Sequence, residues 1–428
     1  MQLAAILMLG QMVFMLVVSP LGSTSPAALL AGAWAFIYVL QSIFASDMTS
    51  SFLATITIFT ITLSFSAGEL IGCGGVKRGE NTRRQKAATP TPMNDDCMNS
   101  KRLKWVILCF GLFGILGVVE YANVMGLLRA RSLAELILLP GIARVRAFSG
   151  DLAVPMYSKI VVLFAYPGVV LALAYYYLYR WRWWLVLPMI EVLLFGMIQS
   201  GRAGAMIVLL QVVISVYLKQ VISLKQSAAR TIVNCAVLPG GLMAIVFLGG
   251  QFLREGFNST GIQDLLRVTI SLRLYLFGGV SAYSYWISHV YDWDAPTLGK
   301  FSFSSLFSAL GIAPQVPGVY AGFSPISASG ETTNLYTSYR SFIDDYSIVG
   351  ACLFYFVAGI VIASITRSFM KGKVALIAVL IPLLSWLAYS PMYSLTYFNS
   401  FLLSCFLPYI LVRRFSEVKD GGNKIHLR

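Results

Sequence analysis

Long apolar runs separated by short basic segments limit the fold of this chain more than any other feature. A helix crosses the roughly 30 Å hydrocarbon core of a bilayer with about 17 to 25 apolar residues. Runs of that length lie near 2–18, 27–45, 51–72, 104–127, 158–179, 183–200, 203–218, 231–250, 345–366, 374–390 and 394–412. The sequence therefore predicts an all-α polytopic integral membrane protein, a single transmembrane domain over 1–428 with about 11 transmembrane helices, within a range of about 10 to 13. Composition agrees: 57% of the 428 residues are hydrophobic and 12% are charged. Soluble domains carry about a quarter charged residues, so a water-soluble enzyme is excluded. The segment Met1–Val18 has no Lys or Arg; without a basic flank it is expected to remain as the first span rather than act as a cleaved signal.

Lys and Arg orient such a protein, because short loops rich in them stay in the cytoplasm. The segment 73–104 holds Lys77, Arg78, Arg83, Arg84, Lys86, Lys101, Arg102 and Lys104 among Gly, Pro and Thr residues, and reads as a basic, disordered cytoplasmic linker. Counting spans from it places Arg180 and Arg182, Lys219 to Arg230, Arg367 to Lys373 and the tail 413–428 on the same side. These groups hold most of the 32 basic residues. The net charge of +14 is thus a topology signal, and nucleic acid is not an expected partner. An odd span count puts the amino terminus outside and the carboxyl terminus in the cytoplasm. The segment 272–288 is expected to lie in the membrane plane or to re-enter, since a full crossing there would spoil that register.

Cysteines and histidines bring no further framework. The six cysteines fall in the linker or in expected spans, which argues against disulfides. His289 and His426 are isolated, so no metal site is expected. The series Gly111, Gly114 and Gly117 suggests helices packed closely through small residues. Glu69, Glu120 and Glu191 lie near span ends, where solvated or capping roles are expected.

Some basic residues break the topology rule. They sit in the loop 128–157 (Arg129, Arg131, Arg144, Arg146), at Lys159, in the turn around Arg202, and in the region 251–344 (Arg254, Arg267, Arg273, Lys300, Arg340). Arginine near hydrocarbon carries a desolvation cost; arginines converging at the outer face suggest an anionic, membrane-borne ligand such as a lipid diphosphate, which guanidinium binds bidentately. Each taken singly could instead snorkel to headgroups or neutralise a carboxylate. Arg202 stands out because Gly201 and Gly204 flank it where a helix starts, and backbone N–H groups there can also meet an anion.

The region 251–344 has lower hydrophobicity than its surroundings and is the one externally placed segment large enough to build a site. Its aromatic residues, among them Tyr283, Tyr285, Trp286, Tyr291, Tyr320, Tyr336 and Tyr339, serve equally as sugar-stacking faces or as an interfacial belt. The stretch Gly330 to Arg340 gathers Glu331, Asn334, Tyr336, Tyr339 and Arg340, and leads into Asp344 and Asp345. Paired acids there either favour a helix N-terminus or supply a general base.

The segment TNLYTSYRSFIDDYSIVGACLFYF, together with SGRAGAM and FLREGF, resembles O-antigen polymerases of the Wzy type. The resemblance implies a GT-C-like, metal-independent and cofactor-free glycosyltransferase of the bacterial inner membrane, with two enlarged periplasmic loops, 128–157 and 251–344. Its donor and acceptor would both be undecaprenyl-diphosphate-linked oligosaccharides, polymerised at the periplasmic face, with membrane lipids around it and a chain-length regulator protein as a possible partner. The roles that follow are Glu331, Asp344 or Asp345 at the acceptor hydroxyl, and Arg202, Arg254 and Arg340 at the diphosphate. Arg144 and Arg146 would guide the second lipid-linked chain, and Asn334, Tyr336, Tyr339 and His289 would meet the acceptor sugar. Related O-antigen ligases use a periplasmic histidine; His289 is the candidate here, and nothing around it repeats their pattern. A flippase for lipid-linked glycans is the other alternative, but such transporters show related halves and midplane polar residues, and neither is evident.

Overall fold

The computed structural model describes residues 1–74, 98–129, 156–198, 203–223, 262–292, 296–313, 320, 322–416, 419–420 and 423–424. The long helices are α1 (Gln2–Val18), α2 (Pro26–Phe44), α3 (Phe52–Gly72), α4 (Met98–Val124), α5 (Met156–Leu178), α6 (Leu187–Ile198), α7 (Ala203–Leu218) and α8 (Ile262–His289). A short α9 (Ser304–Ala309) and a minimal hairpin of β1 (Ser324–Pro325) and β2 (Thr332–Thr333) precede α10 (Ser338–Met370), α11 (Ile377–Tyr389) and α12 (Asn399–Ser416). The protein is an all-α, membrane-embedded chain: among the described residues, 6 helices are long and apolar enough to cross a bilayer, with shorter apolar helices at Gln2–Val18, Trp183–Gly196 and Val374–Tyr389.

A helix stands at every expected span within the described residues, displaced by a few residues at its ends; the expected span 231–250 lies outside them. Three details add to the sequence expectation. The end of the basic segment 73–104 is helical, because α4 begins at Met98 and carries Lys101, Arg102 and Lys104 on its first turns. The segment 272–288, expected to lie in the membrane plane or to re-enter, belongs to one uninterrupted helix, α8, about 42 Å long at 1.5 Å per residue; it lacks the reversal that re-entry needs and is compatible with an in-plane helix. Much of 251–344 is therefore ordered into α8, α9 and the hairpin.

The chain divides into two compact units. The first comprises 1–88, 270–371 and 383–399. Its centre is the contact between α3 and α10, where glycines permit backbone-to-backbone approach. A Cβ added at Gly68 would overlap the Phe356 carbonyl, one at Gly72 would lie 2.5 Å from the Ile360 carbonyl oxygen, and one at Gly359 would overlap the Phe65 carbonyl. Glu69 is fully buried beside this contact and accepts from Ser19 Oγ at 2.5 Å, Ser25 Oγ at 2.6 Å and the Ala27 N–H at 2.6 Å. A carboxylate at the first N–H groups of α2 satisfies otherwise orphaned donors. Glu69 thus takes a capping role and is not solvated. The opposite face of α10, Val349, Leu353, Val357 and Val361, repeats every fourth residue and is exposed, as a lipid-facing stripe is.

The second unit comprises 89–269, 372–382 and 400–428, and its interior is built around α4. A Cβ at Gly111 would lie 2.8 Å from Leu187 Cβ, one at Gly114 would overlap the Glu191 carboxyl, and one at Gly117 would lie 2.5 Å from Val161 Cγ1. The glycine series therefore seats α6 and α5 against α4. Of the solvated or capping roles expected near span ends, the solvated one does not hold for Glu191, which is buried, while Glu120 is exposed.

Candidate functional site

The cavity of interest lies wholly within the first unit, where α8 ends and α10 begins. It is lined by Trp286, Val290, Tyr291, Asp292, Pro296, Thr297, Phe301, Ile343, Asp344 and Ser347, and encloses about 160 Å³. Its construction starts from one broken helical residue. Ser347 has φ 65° and ψ 175° inside α10, a conformation essentially reserved for glycine that costs about 1–3 kcal/mol. The break removes the i to i−4 bonds that would cross it, so neighbouring backbone groups need other partners. The loop after α8 supplies two of them: Thr297 N–H donates to the Asp344 carbonyl at 3.1 Å and Leu298 N–H to the Asp345 carbonyl at 3.0 Å. Leu298 (φ 53°) and Ser347 are the two non-glycine residues with positive φ among the described residues, and both belong to this loop-to-helix seam. Backbone strain concentrated at a cavity is a pointer to function.

Asp344 and Asp345 are adjacent but face different surroundings. Asp345 is fully buried and accepts from Thr297 Oγ1 at 2.5 Å, the Phe301 N–H at 3.0 Å, the Ser302 N–H at 2.6 Å and the Ser302 hydroxyl. It fixes the loop that forms one wall. Asp344 lines the cavity. Its Oδ2 accepts from Tyr320 OH at 2.7 Å and from Arg340 Nε at 3.3 Å. No described residue donates to its Oδ1.

Arg340 lies one helical turn before Asp344, the spacing that puts i and i+4 on one face. Its guanidinium carbon stands 3.6 Å from the Tyr320 ring centroid, 3.8 Å from that of Tyr336 and 4.9 Å from that of Trp286. Aromatic faces attract a cation in this geometry. Its Nη1 is buried and makes no hydrogen bond to a described residue. Tyr336 is fixed in turn by Ser324 Oγ at 2.6 Å, which the β1–β2 hairpin brings alongside. Burial pushes the Tyr320 phenol well above its usual value, reinforced by the Asp344 carboxylate, so Tyr320 remains a donor to Asp344.

The other expected site residues are placed as follows. Glu331 accepts from Arg273 Nη2 at 2.9 Å, and the same nitrogen meets Asp47 Oδ2 at 2.5 Å. With Thr49 N–H donating to the Ile326 carbonyl at 2.7 Å, this ties the hairpin to the α2–α3 turn and leaves Glu331 outside the cavity lining. Tyr339 is fully buried, packed on Trp34 at 4.9 Å and Tyr355 at 4.8 Å, and presents no face to a ligand. His289 is exposed at the end of α8, stacked on Tyr285 at 4.7 Å, and does not line the cavity. Asn334 is half-buried between the hairpin and α10. Arg144, Arg146, Arg202 and Arg254 lie outside the described residues.

Thr297, Phe301 and Ser347 carry no sequence signal that singles them out; they matter because the loop folds back on Asp345. Among the described residues no group of His, Cys, Asp and Glu is arranged to hold a metal ion. Compared with known protein families, with curated proteins and with solved structures, the chain shows no match.

Proposed function

We propose that this protein is a membrane glycosyltransferase that polymerises lipid-diphosphate-linked oligosaccharide repeat units, an O-antigen polymerase of the Wzy type. The observation that carries the reading is Asp344: a carboxylate aligned by Tyr320 and Arg340 on one oxygen, with the other free of described donors, in a wall of a cavity that also holds Trp286, Tyr291 and Phe301. Aromatic faces beside carboxylates suit a sugar ring, whose C–H face stacks while its hydroxyls donate.

In the proposed reaction the acceptor hydroxyl oxygen attacks the anomeric carbon of the donor glycan. A new C–O bond forms as the anomeric carbon–oxygen bond to the lipid diphosphate breaks, and the leaving diphosphate keeps the electron pair. Asp344 accepts the hydroxyl proton and releases it to water, a general-base contribution of about 10²–10⁴-fold. Arg340 positions Asp344 through Nε. Asp345 holds the cavity wall, and Glu331 holds the hairpin. Charge on the departing diphosphate calls for fixed cations; Arg202, Arg254, Arg144 and Arg146 are the proposed source, at the periplasmic face of the bacterial inner membrane.

The test is the glycan ladder of a polymerase-deficient strain complemented with this gene. Restored ladders support the reading. In a strain from which this gene alone is deleted, lipid-linked polymer made but not attached to its final carrier would instead identify a ligase, and single lipid-linked units trapped on the cytoplasmic side would identify a flippase.

A further inference from the structure

Positive charge and exposed indole rings meet at one end of the second unit. The first turns of α4 carry Lys101, Arg102 and Lys104, followed by Trp105, and the turn between α5 and α6 carries Trp181, Trp183 and Trp184 beside Arg180 and Arg182. Residues three and four apart on a helix are neighbours, so Lys101, Lys104 and Trp105 share one face. Lys104 links the two elements: its Nζ stands 6.0 Å from the Trp105 ring centroid and 6.0 Å from that of Trp184. Trp184 is buried and packed edge-on against Tyr175 at 4.9 Å, which fixes the turn to α5. Trp105, Trp181 and Trp183, by contrast, are 65%, 50% and 75% exposed, and Lys101 and Arg102 are exposed beside them. No Asp or Glu occurs in 98–119 or in 156–190, and Glu120 lies about 24 Å along α4 from Lys104 at 1.5 Å per residue. The ion pairs among the described residues all lie in the first unit, so no described carboxylate offsets Lys101, Arg102 or Lys104.

Indole rings settle at the headgroup level of a bilayer, where an apolar body meets lipid and the N–H meets water. Three exposed indoles therefore mark the depth at which phospholipid phosphates run, and the cations stand at that depth. Ammonium and guanidinium groups both pair with phosphate oxygens. We propose that the start of α4 and the α5–α6 turn form a binding site for one anionic phospholipid, with Lys101, Arg102 and Lys104 on its phosphodiester and Trp105, Trp181 and Trp183 against its glycerol and upper acyl chains. Arg180 and Arg182 add to the positive field. A zwitterionic headgroup brings its own cation into the same patch and is repelled there, whereas a headgroup of net negative charge is not. A soluble phosphate meets the charge requirement but leaves the three rings without a partner. The site is independent of the polymerase reading.

Binding of radiolabelled phosphatidylglycerol to the full-length protein in a non-ionic detergent, counted by scintillation proximity, tests this. Binding is expected to saturate, and phosphatidylcholine to displace the label at least about tenfold less effectively than unlabelled phosphatidylglycerol. Inorganic phosphate should not displace it. Each Lys or Arg near an anionic headgroup is worth about fivefold in affinity, so the combined substitution Lys101→Gln, Arg102→Gln and Lys104→Gln should weaken binding at least about tenfold. Removing the same charge elsewhere, with Lys371→Gln, Lys373→Gln and Arg414→Gln, should weaken it less than about threefold. Equal displacement by phosphatidylcholine, or no saturable binding, overturns the proposal. So does an equal loss in the two triple variants, which would reduce the effect to the protein's overall charge. Displacement by inorganic phosphate would overturn the assignment to a lipid. The competition with the unaltered protein requires no variant, so one that does not fold leaves the test decisive.

Discussion

In the proposed mechanism, one residue of offset along a helix separates the base, Asp344, from Asp345, which holds the loop. Asp345 gathers hydroxyl and backbone donors from Thr297, Phe301 and Ser302 in a fully buried position. Asp345→Ala strands those donors, each at about 1–3 kcal/mol, and we expect it to lower the thermal midpoint in detergent markedly. Asp344→Asn keeps the shape and a hydrogen-bond acceptor, so the midpoint should stay nearly unchanged while chain elongation falls at least about 100-fold. A stability loss from Asp344→Asn as large as that from Asp345→Ala would reverse the two roles. Ser347→Gly offers a third contrast. Glycine adopts φ 65° without strain, and a gain of about 1 kcal/mol in stability is expected, read as a higher thermal midpoint; a lower midpoint would mean that Ser347 contributes more by its side chain than its backbone costs.

At the scale of elements, glycine spacing decides which helices meet. Gly68 and Gly359 let α3 and α10 touch backbone to backbone, so Gly68→Leu should destabilise by about 1–3 kcal/mol or more, whereas Gly10→Ala, with nothing within 4 Å of the added Cβ, should be nearly neutral. Thermal unfolding of the two variants checks the difference. The hairpin is tied less strongly. The Arg273 contacts to Asp47 and Glu331 are partly solvated, with side chains 25%, 50% and 20% exposed, so Arg273→Met should cost no more than about 1 kcal/mol. The packing role of Gly111, Gly114 and Gly117 was legible in the sequence, because small residues at helical spacing have one main use in an apolar helix. The cavity was legible only in part. Arg340 and Asp344 stood out as members of a polar, charged stretch that leads into an apolar span, but nothing in the local pattern tells Asp344 from Asp345, or marks Ser347 as the break that makes backbone groups available to the loop. Those properties arise from a contact between segments more than forty residues apart, Thr297 with Asp344 and Asp345. Tyr339 illustrates the converse: its polar neighbours in sequence suggested a ligand, while helical phase turns it inward onto Trp34 and Tyr355.

For the whole molecule, the apolar stripe on α10 and the long apolar helices make it a membrane-embedded protein, and the proposed activity requires the cavity to face the periplasm. Single cysteines at His289 and at Lys371, introduced into a variant lacking the native thiols, should react oppositely with a membrane-impermeant maleimide in intact cells: His289→Cys labelled, Lys371→Cys protected until permeabilisation. The most direct measurement of the central claim uses the purified protein alone, reconstituted with lipid-diphosphate-linked repeat units. A ladder of lipid-linked polymers that disappears with Asp344→Asn is the predicted result. Lipid-linked single repeats that stay unelongated with the unaltered protein, or a ladder that persists undiminished with Asp344→Asn, would contradict it.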